Sequence, residues 1–444
     1  MNDHYKTEST DNNYVEPRFK QTASPSVLIE FNEYGVYRSL ISLRGSSTGS
    51  DGIPSWFLTS FAHLLAEPIT ILYQRSLNLS YVPPEWRTSC ITPVPKVTRP
   101  KEPNDFRPIS ITSVLCCILE KVVVRRYFYA ILTDTNLNQA FQDQYAYRPT
   151  GSTTSAIVAL VQNLSEMLKT EPYVRLISLD FSHAFDTVRH SYLAEQLATL
   201  PLPDSIYNWI LALLSNQKHC TKYQEKLFLL DAINASIIQG SGMGPSNFVT
   251  VISGLKTIHK RNLLMKYADD SYVLIPASVI QTTSEELENI ETWAKSSNLR
   301  LNAAKTKELI ITLPGKKPLL PPPYPGLERV AEARVLGVVL SSSLGFRSHF
   351  TNICTRALQS LYAIRILTSH GLEGQRLHDV IQSTTLARLL YASPAWYGFL
   401  NAESRNRLNS IIKKLKRRRY LPVNYPSFED LCDRADGKLF SSVY

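Results

Sequence analysis

The stretch Tyr267-Ala268-Asp269-Asp270 constrains this chain more than any other. Two adjacent carboxylates stand between the apolar runs Leu263-Leu264-Met265 and Tyr272-Val273-Leu274-Ile275. Apolar runs flanking a short polar tip predict a tight β-hairpin. Neighbouring aspartates at such a tip repel each other and are tolerated when solvated or when a cation neutralises them. A second apolar run, Leu176-Ile177-Ser178-Leu179, ends on Asp180. Two strands that each deliver a carboxylate to one spot make a hard, all-oxygen site. Such a site suits Mg²⁺ or Mn²⁺ rather than zinc.

Other short signals surround this pair in a fixed order. Gly49-Ser50-Asp51-Gly52 opens a turn, and Cys90 to Lys96 reads as a short strand ending on a lysine. Asp105-Phe106-Arg107-Pro108-Ile109-Ser110 leads into a helix over about 113–132. Phe141 to Pro149 precedes a helix that hydroxyls at 152–154 cap. A strand is predicted from Ile233 to Ile238, running into Gln239-Gly240-Ser241-Gly242-Met243-Gly244-Pro245. Asp204 is the expected N-cap of a helix to about Leu214, and Thr283 with Glu286 reads as a capping box. The proline cluster at 314–325 is expected to join two strands, and Val335 to Leu340 reads as one buried strand. From about Ser348 the pattern turns helical.

Taken in order, these segments resemble the reverse transcriptases of non-LTR (LINE-type) retrotransposons. The resemblance spans about residues 45 to 420 and is strongest from 175 to 312. It implies an α+β right-hand polymerase fold. Residues 1–45 would be an N-terminal extension, its first 25 or so residues disordered by composition. Residues 46–175 would form fingers with part of the palm, 176–345 a palm with an antiparallel sheet, and 346–444 a helical thumb with a basic tail. The implied activity is RNA-directed DNA synthesis with Mg²⁺ or Mn²⁺. The implied partners are an RNA template, a DNA primer and deoxynucleotides. Full elements of this type usually carry an endonuclease ahead of the polymerase, so the chain reads as a fragment, or as the polymerase part of a decayed or split element.

The chemistry assigns roles. Attack of a primer 3′-OH on an α-phosphate builds charge on two oxygens, which two cations can stabilise. Asp180 and Asp269 fit as their holders, Asp270 assists, and Phe181 joins the implied metal set. Phe185 would lie under the nucleotide sugar and exclude a ribose 2′-OH. Lys96 and Arg107 are implied triphosphate holders, Arg as a bidentate fork and Lys as a point charge. Lys305 would screen the leaving pyrophosphate, and Gln239-Gly240 would let backbone approach a base or nucleotide. The loop with Arg148 would meet the template. Asp186 reads as a cap for the next helix. The run Lys413, Lys414, Lys416, Arg417, Arg418 suits a nucleic-acid backbone, a solvated helix face or a nuclear-import signal.

Ala146 stands where the family usually has glycine, and Asn247 where it has an apolar residue. They keep open an impaired or domesticated relative that only binds nucleic acid. An RNA-templated RNA polymerase is the third reading, and Phe185 opposes it. The net charge of +10 accords with a polyanionic partner. The six scattered cysteines include no CxxC pair, which predicts reduced thiols and no zinc knuckle. No signal-peptide core and no apolar stretch of spanning length is present, so no membrane partner is expected. The expected location is intracellular, in nucleus or cytoplasm.

Overall fold

The computed structural model describes residues 1–21, 30–45, 47–134 and 138–443. The fold is α+β, as expected. The chain forms two compact units, each assembled from three stretches. The first holds Met1–Gln142, Phe181–Lys256 and Glu288–Leu301, and the second Asp143–Asp180, Thr257–Leu287 and Asn302–Tyr444.

In the first unit, strand Thr88–Pro95 pairs antiparallel with Phe106–Ile111 and parallel with Lys218–Tyr223. Its buried positions alternate, the period-two signature of a strand with one core face. Helix Val114–Val123 starts at Ser113, whose hydroxyl accepts the Cys116 N–H. Helix Asp204–Leu214 is almost wholly buried, and its Trp209 donates to the Ser76 hydroxyl at 2.9 Å.

The polar start predicted disorder over about 25 residues. Residues 22–29 lie outside the described ones, but residues 1–21 are pinned by specific contacts. Asn2 donates to Asp231 at 2.6 Å, Asp11 pairs with Arg189 at 2.7 Å, and Tyr5 is buried. Such long-range polar anchors leave no trace in local composition.

In the second unit, five strands lie in the order Glu328–Arg329, Lys307–Ile311, Val174–Leu179, Asp270–Pro276, Leu263–Tyr267. All neighbours are antiparallel except the first pair. The proline cluster joins that parallel pair, as expected. Helix Thr153–Thr170, capped by Ser152, shares one core with the sheet. Ile157, Leu160, Leu164 and Leu168 lie with Val174, Leu176, Leu274 and Leu309, all essentially without exposure. Each such leucine contributes roughly 1.5–3 kcal/mol by leaving water. Helices Arg347–Ser369, Ala402–Arg417 and Phe428–Val443 follow. Among the described residues no helix is long and apolar enough to cross a membrane.

Four local expectations are corrected. Val335 to Leu340 is not one strand but a tight hairpin, Glu332–Val335 against Val338–Ser341. Leu336 and Gly337 turn it with φ of 46° and 89°, the pair of positive φ values that a two-residue hairpin loop uses. Residues 233–238 form no strand, because their N–H groups go elsewhere: Ser236 donates to the Val188 carbonyl and Ile237 to that of Phe185. Pro203 is the N-cap, and Asp204, one residue later, lies 3.3 Å from the Lys20 ammonium. Glu286 makes no capping box; its carboxylate accepts the N–H groups of Ile258 and His259 and the Asn262 amide.

Candidate active site

The expected hairpin is present: Leu263–Tyr267 pairs with Asp270–Pro276, Tyr267 opposite Asp270. Its tip is Ala268-Asp269, with Ala268 at a left-handed φ of 55°. On the other side Asp270–Pro276 pairs with Val174–Leu179, Leu179 opposite Ser271. Asp180 is one residue past that pair and Asp270 one residue before it. The register therefore delivers both carboxylates to the same end of two adjacent strands. Asp180 is fixed through its backbone, its carbonyl accepting the Asn302 N–H at 2.8 Å.

The electrostatics follow. The Asp270 carboxyl is pushed up to about 6, first by the protein packed around it, then by the charges of Asp269 and Asp180. Asp270 keeps a solvent-exposed surface, so a cation can reach the carboxylate that the packed protein and its like-charged neighbours make costly to ionise. Among the described residues no three His, Cys, Asp or Glu side chains are already gathered to enclose a metal ion. The donor chemistry nevertheless fits a hard divalent cation: carboxylate oxygens brought to one end of two adjacent strands, with the Asp270 carboxyl raised by its neighbours.

Two residues that sequence reasoning gave no role hold the hairpin, and a third, Tyr147, lies near its tip. Lys266, 0% exposed, pairs with Asp143 at 3.0 Å. The Gln144 side-chain oxygen accepts the Ala268 N–H. The Tyr147 hydroxyl is raised by surrounding protein and then by the charges of Asp269 and Tyr267. Tyr147, not Ala146, takes the left-handed backbone of this loop, at φ 57°. Ala146 keeps a negative φ, so the missing glycine costs no strain there. Arg148 donates to the Gln144 carbonyl at 3.2 Å and so braces the same loop. Lys305 is exposed in the turn before Lys307–Ile311.

Apart from the basic run at 413–418, the other candidates lie in the first unit. Arg107 is exposed on the Thr88–Pro95/Phe106–Ile111 pair, where it faces Val94, and Lys96 is exposed directly after Pro95. Phe185 stacks on Phe248 at 4.3 Å and 13°. Phe181 packs its ring on Trp293 in the core, so its side chain offers no ligand. Asp186 does not cap the next helix, whose N-cap is Arg189. It accepts the Gln239 amide at 2.9 Å instead. Asn247 is buried in helix Gly244–Ser253, and its side-chain oxygen finds no hydrogen-bond partner among the described residues. In the second unit, Lys413, Lys414, Arg417 and Arg418 are exposed and Lys416 is half-buried at the end of helix Ala402–Arg417. Cations there also suit the helix dipole.

Comparison with known proteins bears on this geometry. The chain is 24% identical over 314 residues to a probable RNA-directed DNA polymerase from transposon BS of Drosophila melanogaster, covering 67% of this chain and 34% of that protein. It is 25% identical over 299 residues to the RNA-directed DNA polymerase from mobile element jockey of the same species, covering 64% and 32%. The chain thus spans about a third of the length of these relatives. Telomerase from Candida tropicalis is similar at a TM-score of 0.41 and 12% identity, over 84% of this chain and 61% of that one. The model of the family described as reverse transcriptase (RNA-dependent DNA polymerase) matches residues 94–340, more than half of the sequence. The chain belongs to the reverse transcriptase family, with non-LTR retrotransposon polymerases as its relatives.

Proposed function

We propose that this chain is an RNA-directed DNA polymerase that adds deoxynucleotides to a primer 3′-OH on an RNA template. The observation that carries this reading is the register that sets Asp180 and Asp270 at one end of adjacent strands, with Asp269 at the hairpin tip. In this reading the five-stranded sheet is the palm. Asp180, Asp269 and Asp270 hold Mg²⁺ or Mn²⁺, with only the backbone of Phe181 available to the same set. A bound divalent cation supplies Lewis-acid stabilisation of the attacking and leaving oxygens.

The chain's own residues do the rest. Lys96 and Arg107 bind the triphosphate of the dNTP, and Lys305 screens the departing pyrophosphate. Phe185, backed by the Phe248 ring, presents a fixed aromatic face to the sugar. Gln239 and Gly240 bring backbone to the nucleotide or its template base. Arg148 meets the template, and Lys413, Lys414, Lys416, Arg417 and Arg418 hold phosphate backbone.

Primer extension on poly(rA)/oligo(dT) with Mg²⁺ or Mn²⁺ tests the proposal. The native chain is expected to incorporate dTTP, and Asp269→Ala to abolish incorporation. A folded native chain that binds the duplex without incorporation overturns the reading and leaves a nucleic-acid-binding relative.

A further inference from the structure

Helix Val114–Val123 is apolar apart from Glu120 and Lys121, and Glu120 is only 2% exposed. Its Oε2 accepts the Ser241 hydroxyl at 2.9 Å, the Gly242 N–H, and the Met243 N–H at 3.3 Å. Its Oε1 accepts the Cys116 thiol at 3.7 Å. Neither lysine nor arginine is among these partners. A buried carboxylate without a cation is costly unless hydrogen bonds satisfy it. Here a loop's own N–H groups do so, at the start of helix Gly244–Ser253, where the helix dipole favours an anion.

The loop has little room to settle elsewhere. A Cβ on Gly242 would stand 2.8 Å from the Cys117 carbonyl oxygen, and one on Gly240 2.1 Å from that of Ser110. Gly240 also has a φ of +132°, which side chains rarely adopt. At the other end, the Gln239 amide donates to Asp186 at 2.9 Å, and the Gln239 carbonyl accepts the Ser110 N–H at 2.8 Å. Glu120 thus fixes one side of the segment and Asp186 with Ser110 the other.

Building on the polymerase reading, we infer that Glu120 is a positioning residue: by clamping the Ser241-Gly242-Met243 backbone it sets Gln239 and Gly240 against the incoming nucleotide. It touches no reacting atom itself. Removing it frees the N–H groups of Gly242 and Met243 to seek water, and the segment shifts. The loss falls on nucleotide binding, and so on KM for dTTP more than on kcat.

Two measurements test this on the full chain: steady-state primer extension on poly(rA)/oligo(dT), and hydrogen exchange of peptides covering residues 239–248. In Glu120→Ala, shown folded by its melting curve, KM for dTTP should rise at least about tenfold while kcat changes about threefold or less. Exchange should accelerate in this segment alone. Glu120→Gln keeps an acceptor oxygen and should restore KM to within about threefold of the native value. If Glu120→Ala does not fold, Glu120→Asp takes its place, since it keeps the charge but withdraws the oxygen by one methylene. A folded variant with native KM and native exchange overturns the clamp. If the native chain itself is inactive, the polymerase reading falls and the exchange experiment still decides the clamp: unchanged protection at 239–248 overturns it, and selective loss supports it.

Discussion

The Gln144 side-chain oxygen accepts the Ala268 N–H at 3.1 Å and the Ala146 N–H at 2.9 Å. Ala268 is the left-handed residue directly before Asp269. One buried amide therefore sets the backbone that carries the candidate metal ligands. Gln144→Leu strips both N–H groups of their acceptor. We expect a stability loss of about 1–3 kcal/mol, the cost of buried unpaired donors. Primer extension should fall at least about tenfold through misplacement of the hairpin. Urea denaturation and steady-state kinetics check the two parts separately.

Phe185 lies flat against Phe248. If its face excludes a ribose 2′-OH, Phe185→Val opens that space. Discrimination against UTP relative to dTTP should then drop by about 10- to 200-fold, the range for a small steric difference in a pocket. Parallel single-nucleotide incorporation assays measure it. Unchanged discrimination would return Phe185 to an ordinary packing role.

Glu308 is 0% exposed and holds two arginines, Arg175 at 2.7 Å and Arg329 at 2.8 Å. Arg175 lies on the same strand that ends before Asp180. Glu308→Ala leaves the Arg175 charge buried and uncompensated, which costs about 3–5 kcal/mol. A lowered urea midpoint with an unchanged slope is the expected result.

Metal binding should be visible as stability. A cation that binds only the folded chain stabilises it by about 2.7 kcal/mol at a concentration one hundred times its Kd. Mg²⁺ should raise the melting temperature of the native chain and EDTA should reverse the rise. The doubly substituted Asp180→Asn, Asp269→Asn chain should show neither effect.

Two buried histidines set an acid limit. Burial lowers His190 to about 4, against the opposing hydrogen bond to the Ser236 carbonyl and the charge of Asp11. Burial and then the Arg334 charge lower His349 to about 4. Both are neutral in the fold. Between pH 6.5 and 4 the unfolded chain binds protons that the folded chain does not. Stability therefore falls as pH drops through that window, by at most about 1.4 kcal/mol per pH unit for each histidine. Urea midpoints at pH 7 and pH 5 should differ, and the paired His190→Gln, His349→Gln chain should flatten the difference.

What the sequence determined by itself is local. The apolar runs around Tyr267-Ala268-Asp269-Asp270 specified the hairpin, the run before Asp180 specified a strand, and the Ser152 hydroxyl specified a helix start. Side-chain period and capping act within a few residues, so they are written in adjacent letters. The order of the motifs carried the family. The tertiary structure decided which distant groups satisfy one another. Gln144 reaches Ala268 across 124 positions, Glu120 reaches Gly242 across 122, and Asp186 takes Gln239 rather than a helix end. Val335 to Leu340 bends where composition favoured a straight strand, with the Tyr391 hydroxyl donating to the Leu336 carbonyl at 2.8 Å. An acid in an apolar helix hints at burial, but its partner is set by packing. Buried polar groups must be paired, and the pairing depends on which chain segments the fold brings together.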